Sequence, residues 1–250
     1  MEMEMETYMG ATDILDEITA KNNWKILREP GYQSNWEKEK LKEKGIKLKE
    51  RIQELKDCGI GIRFKNKTFS NFDKTQNTEA FNICKEYAKN FLQHSKEGKG
   101  LFLYGNVGTG KTHLAVAIVD YIARLHKNEI NGSIRFITVT ELLQTIKDSF
   151  KYTDGKNVID RFKKCRLLII DDMGTNKVTD WTQEVFYSII NYRYENLLPT
   201  IITTNLTIDE FKKVNDERLM SRIFEMCKGV KLSGEDHRIK INNAEFIKSK

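Results

Sequence analysis

Gly105-Asn106-Val107-Gly108-Thr109-Gly110-Lys111-Thr112 constrains this chain more than any other feature, because it fits G-x-x-x-x-G-K-[ST]. That pattern works only between a strand and a helix. Here the apolar run Leu101–Tyr104 precedes it, and the Ala- and Val-rich stretch Lys111–Leu125 follows. Glycines let the backbone close around phosphates with its N–H groups pointing inward. The helix behind the loop turns its positive dipole end to the same anion. The pattern gives Lys111 to the β- and γ-phosphates and Thr112 to Mg²⁺, so the expected ligand is ATP with Mg²⁺. The candidate nucleotide-binding set runs from Gly105 through Thr112 and takes in the adjacent His113.

Beyond the loop, short apolar runs alternate with helical stretches. The runs are Leu101–Tyr104, Ile134–Val139, Leu167–Ile170, Thr200–Thr203 and Gly229–Leu232. Between them lie helical patterns such as Lys111–Leu125, Glu141–Phe150 and Thr182–Glu195, and one from about Glu79 to His94 precedes the first run. Continuous apolar strands alternating with helices indicate a mostly parallel sheet covered on both faces, an α/β fold. Ligands of such sheets bind at the carboxyl ends of the strands, and the remaining candidates stand there. Asp171 and Asp172 end the run Leu167–Ile170; Asp171 would bind Mg²⁺ directly or through water. Asp172 would accept a proton from the attacking water or orient it. Asn205 follows Thr200–Thr204, within reach of a γ-phosphate or the lytic water. Arg218 and Arg222 are four apart on one helical face, and Arg222 suits the nucleotide of a neighbouring subunit, as an arginine finger in trans. In Gly234-Glu235-Asp236-His237-Arg238, Arg238 would reach the nucleotide of its own subunit.

The N-terminal part differs in kind. Residues 1–60 hold 11 Lys/Arg and 13 Asp/Glu, a net −2, whereas residues 61–250 hold 31 and 23, a net +8. The larger part is the better match for a polyanion. Ser34 and Glu37 form a capping box that opens a Lys/Glu-rich helix to about Asp57. Leu41, Leu48, Ile52 and Leu55 share one stripe of it, which either docks on a partner or packs within a small domain. Cys58-Gly59-Ile60-Gly61 reads as a linker, giving a helical domain over residues 1–57 and a nucleotide domain over 58–250. The four cysteines never pair as C-x-x-C, so no zinc site is expected. No apolar run is long enough to span a membrane, and the acidic start is no secretory signal, so a cytoplasmic protein is expected.

These elements, in this order, resemble the AAA+ ATPases of the DnaC and DnaI helicase-loader type, and the related IstB-type transposition ATPases look similar. The resemblance spans about residues 58–240. Besides the loop it rests on Gly61–Asp73, on Phe136-Ile137-Thr138-Val139-Thr140-Glu141-Leu142-Leu143, on Arg218–Met226 and on Arg238. It implies a parallel five-stranded AAA+ core, a P-loop ATPase with a small N-terminal domain that contacts a hexameric replicative helicase, and single-stranded DNA as a second partner. It puts the aromatics Phe69 and Phe72 near the adenine, and DNA contacts at Phe150, Thr179 and Trp181, where aromatic faces stack on any base and Lys147, Lys151 and Lys177 can meet phosphates. One departure is Asp172, where many AAA+ proteins have Glu; the shorter acid implies slow hydrolysis. The other is the lack of a cysteine cluster in residues 1–57, unlike the zinc-bearing N-domains of some loaders. An ATPase that assists a transposase shares the core and is the alternative. A small-molecule kinase would need an arginine-bearing lid that the sequence does not show.

Overall fold

Leu167 to Ile170 are all fully buried, and so are Ile201 and Ile202 of the strand beside them. This is the signature of a sheet covered on both faces. The computed structural model describes residues 45–46, 50–125, 133–151, 155–174 and 179–237. Its strands are β1 (Gly100–Tyr104), β2 (Ile134–Thr138), β3 (Leu167–Asp171), β4 (Thr200–Thr204) and β5 (Cys227–Lys231). They form one sheet in the order β2-β3-β4-β1-β5, and every pairing is parallel. The α/β fold with a five-stranded parallel sheet between helices is therefore the observed one.

Successive residues of each strand serve opposite cores. Leu101, Leu103, Leu167 and Ile169 join a cluster under α1 (Thr78–Lys89) and α3 (Lys111–Leu125), with Phe81, Cys84, Leu114 and Ile118. Phe102, Leu168, Ile170 and Ile202 join the other, under α4 (Val139–Lys151), α5 (Gly155–Lys164), α6 (Asp180–Glu195) and α8 (Glu217–Met226). Two short helices, α2 (Phe91–Lys96) and α7 (Ile208–Val214), complete the α-helices with full bounds among the described residues, and a single 3-10 turn spans Ile62–Phe64. Each fully buried Leu or Ile contributes about 1.5–3 kcal/mol.

Several boundaries differ from expectation. The single helix over 79–94 is two, because Asn90 caps α1 with its N–H on Glu86 O and a new helix starts at Phe91. α6 starts at Asp180 rather than Thr182, behind a capping box of Thr179 and Thr182. β5 starts at Cys227, directly on the end of α8.

Cys58-Gly59-Ile60-Gly61 is not a free linker. Cys58 O accepts from Phe136 N at 2.6 Å. A Cβ on Gly59 would lie 2.4 Å from Phe136 O, which is why the backbone there needs glycine. Cys58, Ile60 and the helical Leu55 are buried in the α1/α3 cluster. Arg51 donates to Asp120 of α3 at 2.6 Å, and Arg124 pairs with the same carboxylate. Residues 50–57 are thus helical and part of the nucleotide domain's core; residues 1–44 and 47–49, with Ser34, Glu37, Leu41 and Leu48, lie outside the described residues.

Candidate nucleotide site

The strand order decides which loops meet. β1 has β4 and β5 as neighbours and β4 lies between β1 and β3, so the carboxyl ends of β1, β4 and β3 are consecutive along one edge. The phosphate loop follows β1, Asp171 ends β3 and Asn205 follows β4. The chain leaves β1 for the far edge strand β2 and later passes from β4 over to β5, so its connections part beside β1, where a crevice forms in doubly wound sheets.

The loop has the shape its glycines permit. Gly105, Gly108 and Gly110 have φ of 133°, 74° and 100°. A Cβ on Gly110 would lie 2.6 Å from the Phe72 ring, and one on Gly108 would meet the Asp236 carboxylate. Thr109 Oγ1 donates to Asn106 O at 2.9 Å and fixes the turn. Lys111 is buried; its Nζ donates to the carbonyls of Gly105 and Asn106 at 2.8 and 2.6 Å. Val107 stands exposed at the loop's tip.

Thr112 and Asp171 meet: Thr112 Oγ1 donates to Asp171 Oδ1 and Oδ2 at 3.0 and 3.2 Å. Asp171 is 3% exposed. Burial pushes its carboxyl up from 3.8 to about 6; the hydroxyls of Thr203 and Thr112 and the charge of Lys111 pull it down, while Asp172 pushes it up. Such a buried acid beside a hydroxyl is a set of hard oxygen donors that a divalent cation would relieve of its desolvation cost. It fits Mg²⁺, which takes one or two protein oxygens and completes its shell with phosphate and water. Among the described residues no group of three His, Cys, Asp or Glu gathers to hold a metal.

One residue that sequence reasoning passed over organises both acids. Thr203 Oγ1 donates to Asp171 Oδ1 at 2.6 Å and accepts from the backbone N–H of Asp172 at 3.0 Å. The signal was there: threonines at the carboxyl end of a strand whose every residue is buried. Asp172 stands at φ 59°, and its Oδ1 accepts from Asn205 Nδ2 at 3.1 Å. Asn205 is thus joined to the second acid from the neighbouring strand.

On the other side of the loop, His113 Nε2 lies 2.8 Å from Thr68 O and 3.1 Å from Asn71 Oδ1. Both partners are acceptors, so Nε2 carries the proton. Burial lowers this imidazole to about 4, and it is neutral at physiological pH. Through it α3 holds the 68–72 segment. Phe72 then packs edge-on against His113 at 5.1 Å, over Gly110. Phe69 turns away to Phe81 and Tyr121, so of the two only Phe72 reaches the phosphate loop. The far end of the chain closes the same corner. Ser233 and Asn77 exchange two hydrogen bonds, and His237 N donates to Gly108 O at 3.2 Å. Arg238 lies outside the described residues.

The other candidates are elsewhere. Arg222 lies on α8 against α6, its Nε on Asn191 Oδ1 at 2.5 Å. Phe150 is 59% exposed at the end of α4. Trp181 is half-buried against the α4/α6 cluster with the Lys147 ammonium 5.1 Å from its ring. Thr179 uses its hydroxyl as the cap of α6. Lys177 lies outside the described residues.

A family model described as "IstB-like ATP binding protein" matches residues 41–244. Among curated relatives, the uncharacterized protein YqaM of Bacillus subtilis is 31% identical over 195 residues, 74% of this chain and 60% of that protein. The replicative helicase loader DnaI of the same organism is 29% identical over 171 residues, 63% of this chain and 53% of that one. The chain therefore spans little more than half the length of these relatives. Among solved structures, the crystal structure of the DnaC helicase loader superposes with a TM-score of 0.61 at 28% identity, covering 69% of this chain and all of that one.

Proposed function

The chain belongs to the family of IstB-like ATP-binding proteins, with the AAA+ P-loop fold, and from that premise we propose that it is a cytoplasmic, ATP-dependent loader of a hexameric replicative helicase onto single-stranded DNA. The observation that carries the nucleotide half of this reading is the hydroxyl network at the sheet edge. Thr203, Thr112, Asp171, Asp172 and Asn205 are mutually bonded beside the phosphate loop. The loader half rests on relatives named as helicase loaders.

In this reading Lys111 and the loop's N–H groups hold the β- and γ-phosphates of ATP. Thr112 and ionised Asp171 would hold Mg²⁺, which when bound offsets charge on the phosphate oxygens. Asp172, held by Asn205, orients the attacking water and takes its proton. Arg222 serves the site of a neighbouring copy. Hydrolysis is slow and ends the loading state. Phe150, exposed and flanked by Lys147 and Lys151, offers DNA a stacking face with cations beside it; Trp181, with Lys147 5.1 Å from its ring, and Thr179 are the further DNA contacts of this reading. Among the described residues no helix is long and apolar enough to cross a membrane. A second reading, an ATPase that assists a transposase, is favoured by the family description alone.

The test is size-exclusion chromatography with light scattering of the chain and its own replicative helicase, with and without ATP. The truncation should remove residues 1–44 rather than 1–57, because Arg51 and Leu55 belong to the core. Co-elution that the full chain supports and the truncated chain does not would support the loader and give the N-terminal region its docking role. No complex under any nucleotide condition would overturn the loader reading in favour of the transposase one.

A further inference from the structure

Two helices that face each other carry matched stripes. On α6 the residues are Tyr187, Asn191 and Tyr194; on α8 they are Arg218, Arg222 and Glu225, and both sets follow i, i+4, i+7. Each rung is occupied. The Arg218 guanidinium lies 5.0 Å from the Tyr187 ring centroid. Arg222 Nε donates to Asn191 Oδ1 at 2.5 Å. Tyr194 OH donates to Glu225 Oε1 at 2.8 Å. Arg222 also lies over two rings, 4.9 Å from Tyr187 and 5.8 Å from Tyr194, and its Nη1 donates to Arg218 O at 3.0 Å.

The chemistry of these partners is selective. Arg218 rests on a carboxylate, Asp216, at 3.3 Å. Arg222 has no carboxylate partner among the described residues; an amide oxygen, a carbonyl and two ring faces hold it. Those groups fix the plane and direction of the guanidinium but leave its charge unneutralised. The two hydrogen bonds use Nε and Nη1, so the Nη2 side of the fork keeps its donors for another acceptor. Long arginine side chains otherwise lose much rotamer freedom when they engage an anion, and a stacked, hydrogen-bonded guanidinium has already given it up.

We propose that Tyr187 and Asn191 form a rack that positions Arg222 to engage the nucleotide phosphates of a neighbouring copy of this chain. This rests on the reading of Arg222 as acting in trans. Tyr187 and Asn191 are positioning residues and touch no substrate.

Subunit mixing tests both layers. Lys111→Ala subunits lack turnover at their own site but carry Arg222; Arg222→Ala subunits keep their site. ATP turnover, measured with single-stranded DNA present, should be low for each alone and recover in the mixture. Tyr187→Leu placed in the Lys111→Ala partner should then lower the recovery by at least about ten-fold, given what a donated arginine is worth. Placed in the Arg222→Ala partner it should leave the recovery unchanged, and Tyr187→Phe in the Lys111→Ala partner should preserve it. Asn191→Leu repeats the comparison should Tyr187→Leu fail to fold. A loss from either partner alike would mean a merely structural role and overturn the rack. So would recovery that neither variant affects. No recovery in the first mixture would instead remove the trans role of Arg222, and the rack with it.

Discussion

Replacing Asp171 by Asn should stabilise the nucleotide-free protein near neutral pH while removing its hold on Mg²⁺-nucleotide. The magnitude follows from burial. The carboxyl is 3% exposed and stands at about 6 in place of 3.8. At about 1.4 kcal/mol per pH unit, the ionised carboxylate costs the folded state roughly 3 kcal/mol. Asparagine has the same shape, and its Oδ1 still accepts from Thr203 Oγ1; its amide N–H can donate to Thr112 Oγ1, which then serves as acceptor. The expected gain is about 2 kcal/mol. The folded pKa is raised, so the cost is fully present above about pH 6. It disappears below about 3.8, where folded and unfolded chains both hold the proton. Urea unfolding of both proteins at about pH 7.5 and about pH 4.5 reads this directly: the gain should be large at the first and mostly gone at the second. In the parent, the Mg²⁺-dependent part of nucleotide affinity should weaken as pH falls through about 6, because protons then compete with the cation. A variant less stable than its parent at the higher pH, or a gain that does not shrink at the lower one, would refute the argument that desolvation dominates this carboxylate.

Gly110→Ala should weaken nucleotide binding at least about ten-fold in a fluorescent-nucleotide titration with the circular dichroism unchanged, since strain of about 1–3 kcal/mol falls on the phosphate loop; its Cβ would sit 2.6 Å from the Phe72 ring at φ +100°. Arg193→Met should lower unfolding free energy by about 3–5 kcal/mol, because its guanidinium, fully buried, ties the carbonyls of Phe162, Lys163, Cys165 and Pro199 and the hydroxyl of Thr200. Deleting residues 1–57 should cost at least about 3 kcal/mol of stability relative to deleting 1–44, measured by urea unfolding, since it strips Leu55 from the core and Arg51 from buried Asp120.

The parts legible in the sequence were those with a local signature. The glycine pattern announced the phosphate loop, and four consecutive apolar residues before two acids announced β3, because both faces of that strand are buried. What the sequence hid was set by tertiary contact. Nothing in Cys58-Gly59-Ile60-Gly61 tells a linker from a packed turn; Gly59 is needed because Phe136 O approaches it, 77 residues on. Arg193 reads as one charge near the end of a helix, yet it is wholly buried among backbone acceptors at the end of α5 and in the segment just before β4. Arg222 was legible as a candidate finger, but the aromatic and amide groups under it belong to a helix some thirty residues earlier.

Thr203 ties together the two adjacent acids at the end of β3. Its hydroxyl has one proton, which it gives to Asp171 Oδ1, and its lone pairs accept the N–H of Asp172. That N–H bond holds the Asp172 corner at φ 59°, a left-handed conformation that Asp and Asn adopt far more readily than longer acids. β3 ends at Asp171, and Asp172 stands at the corner just beyond it. Asp171 stays buried on Thr112, and Asp172 turns to Asn205 at the half-buried rim. One hydroxyl thereby bonds both acids, the first through its carboxylate and the second through its backbone N–H. The short side chain of Asp172 suits that backbone geometry, and Asn205, just after β4, donates to its Oδ1 at 3.1 Å.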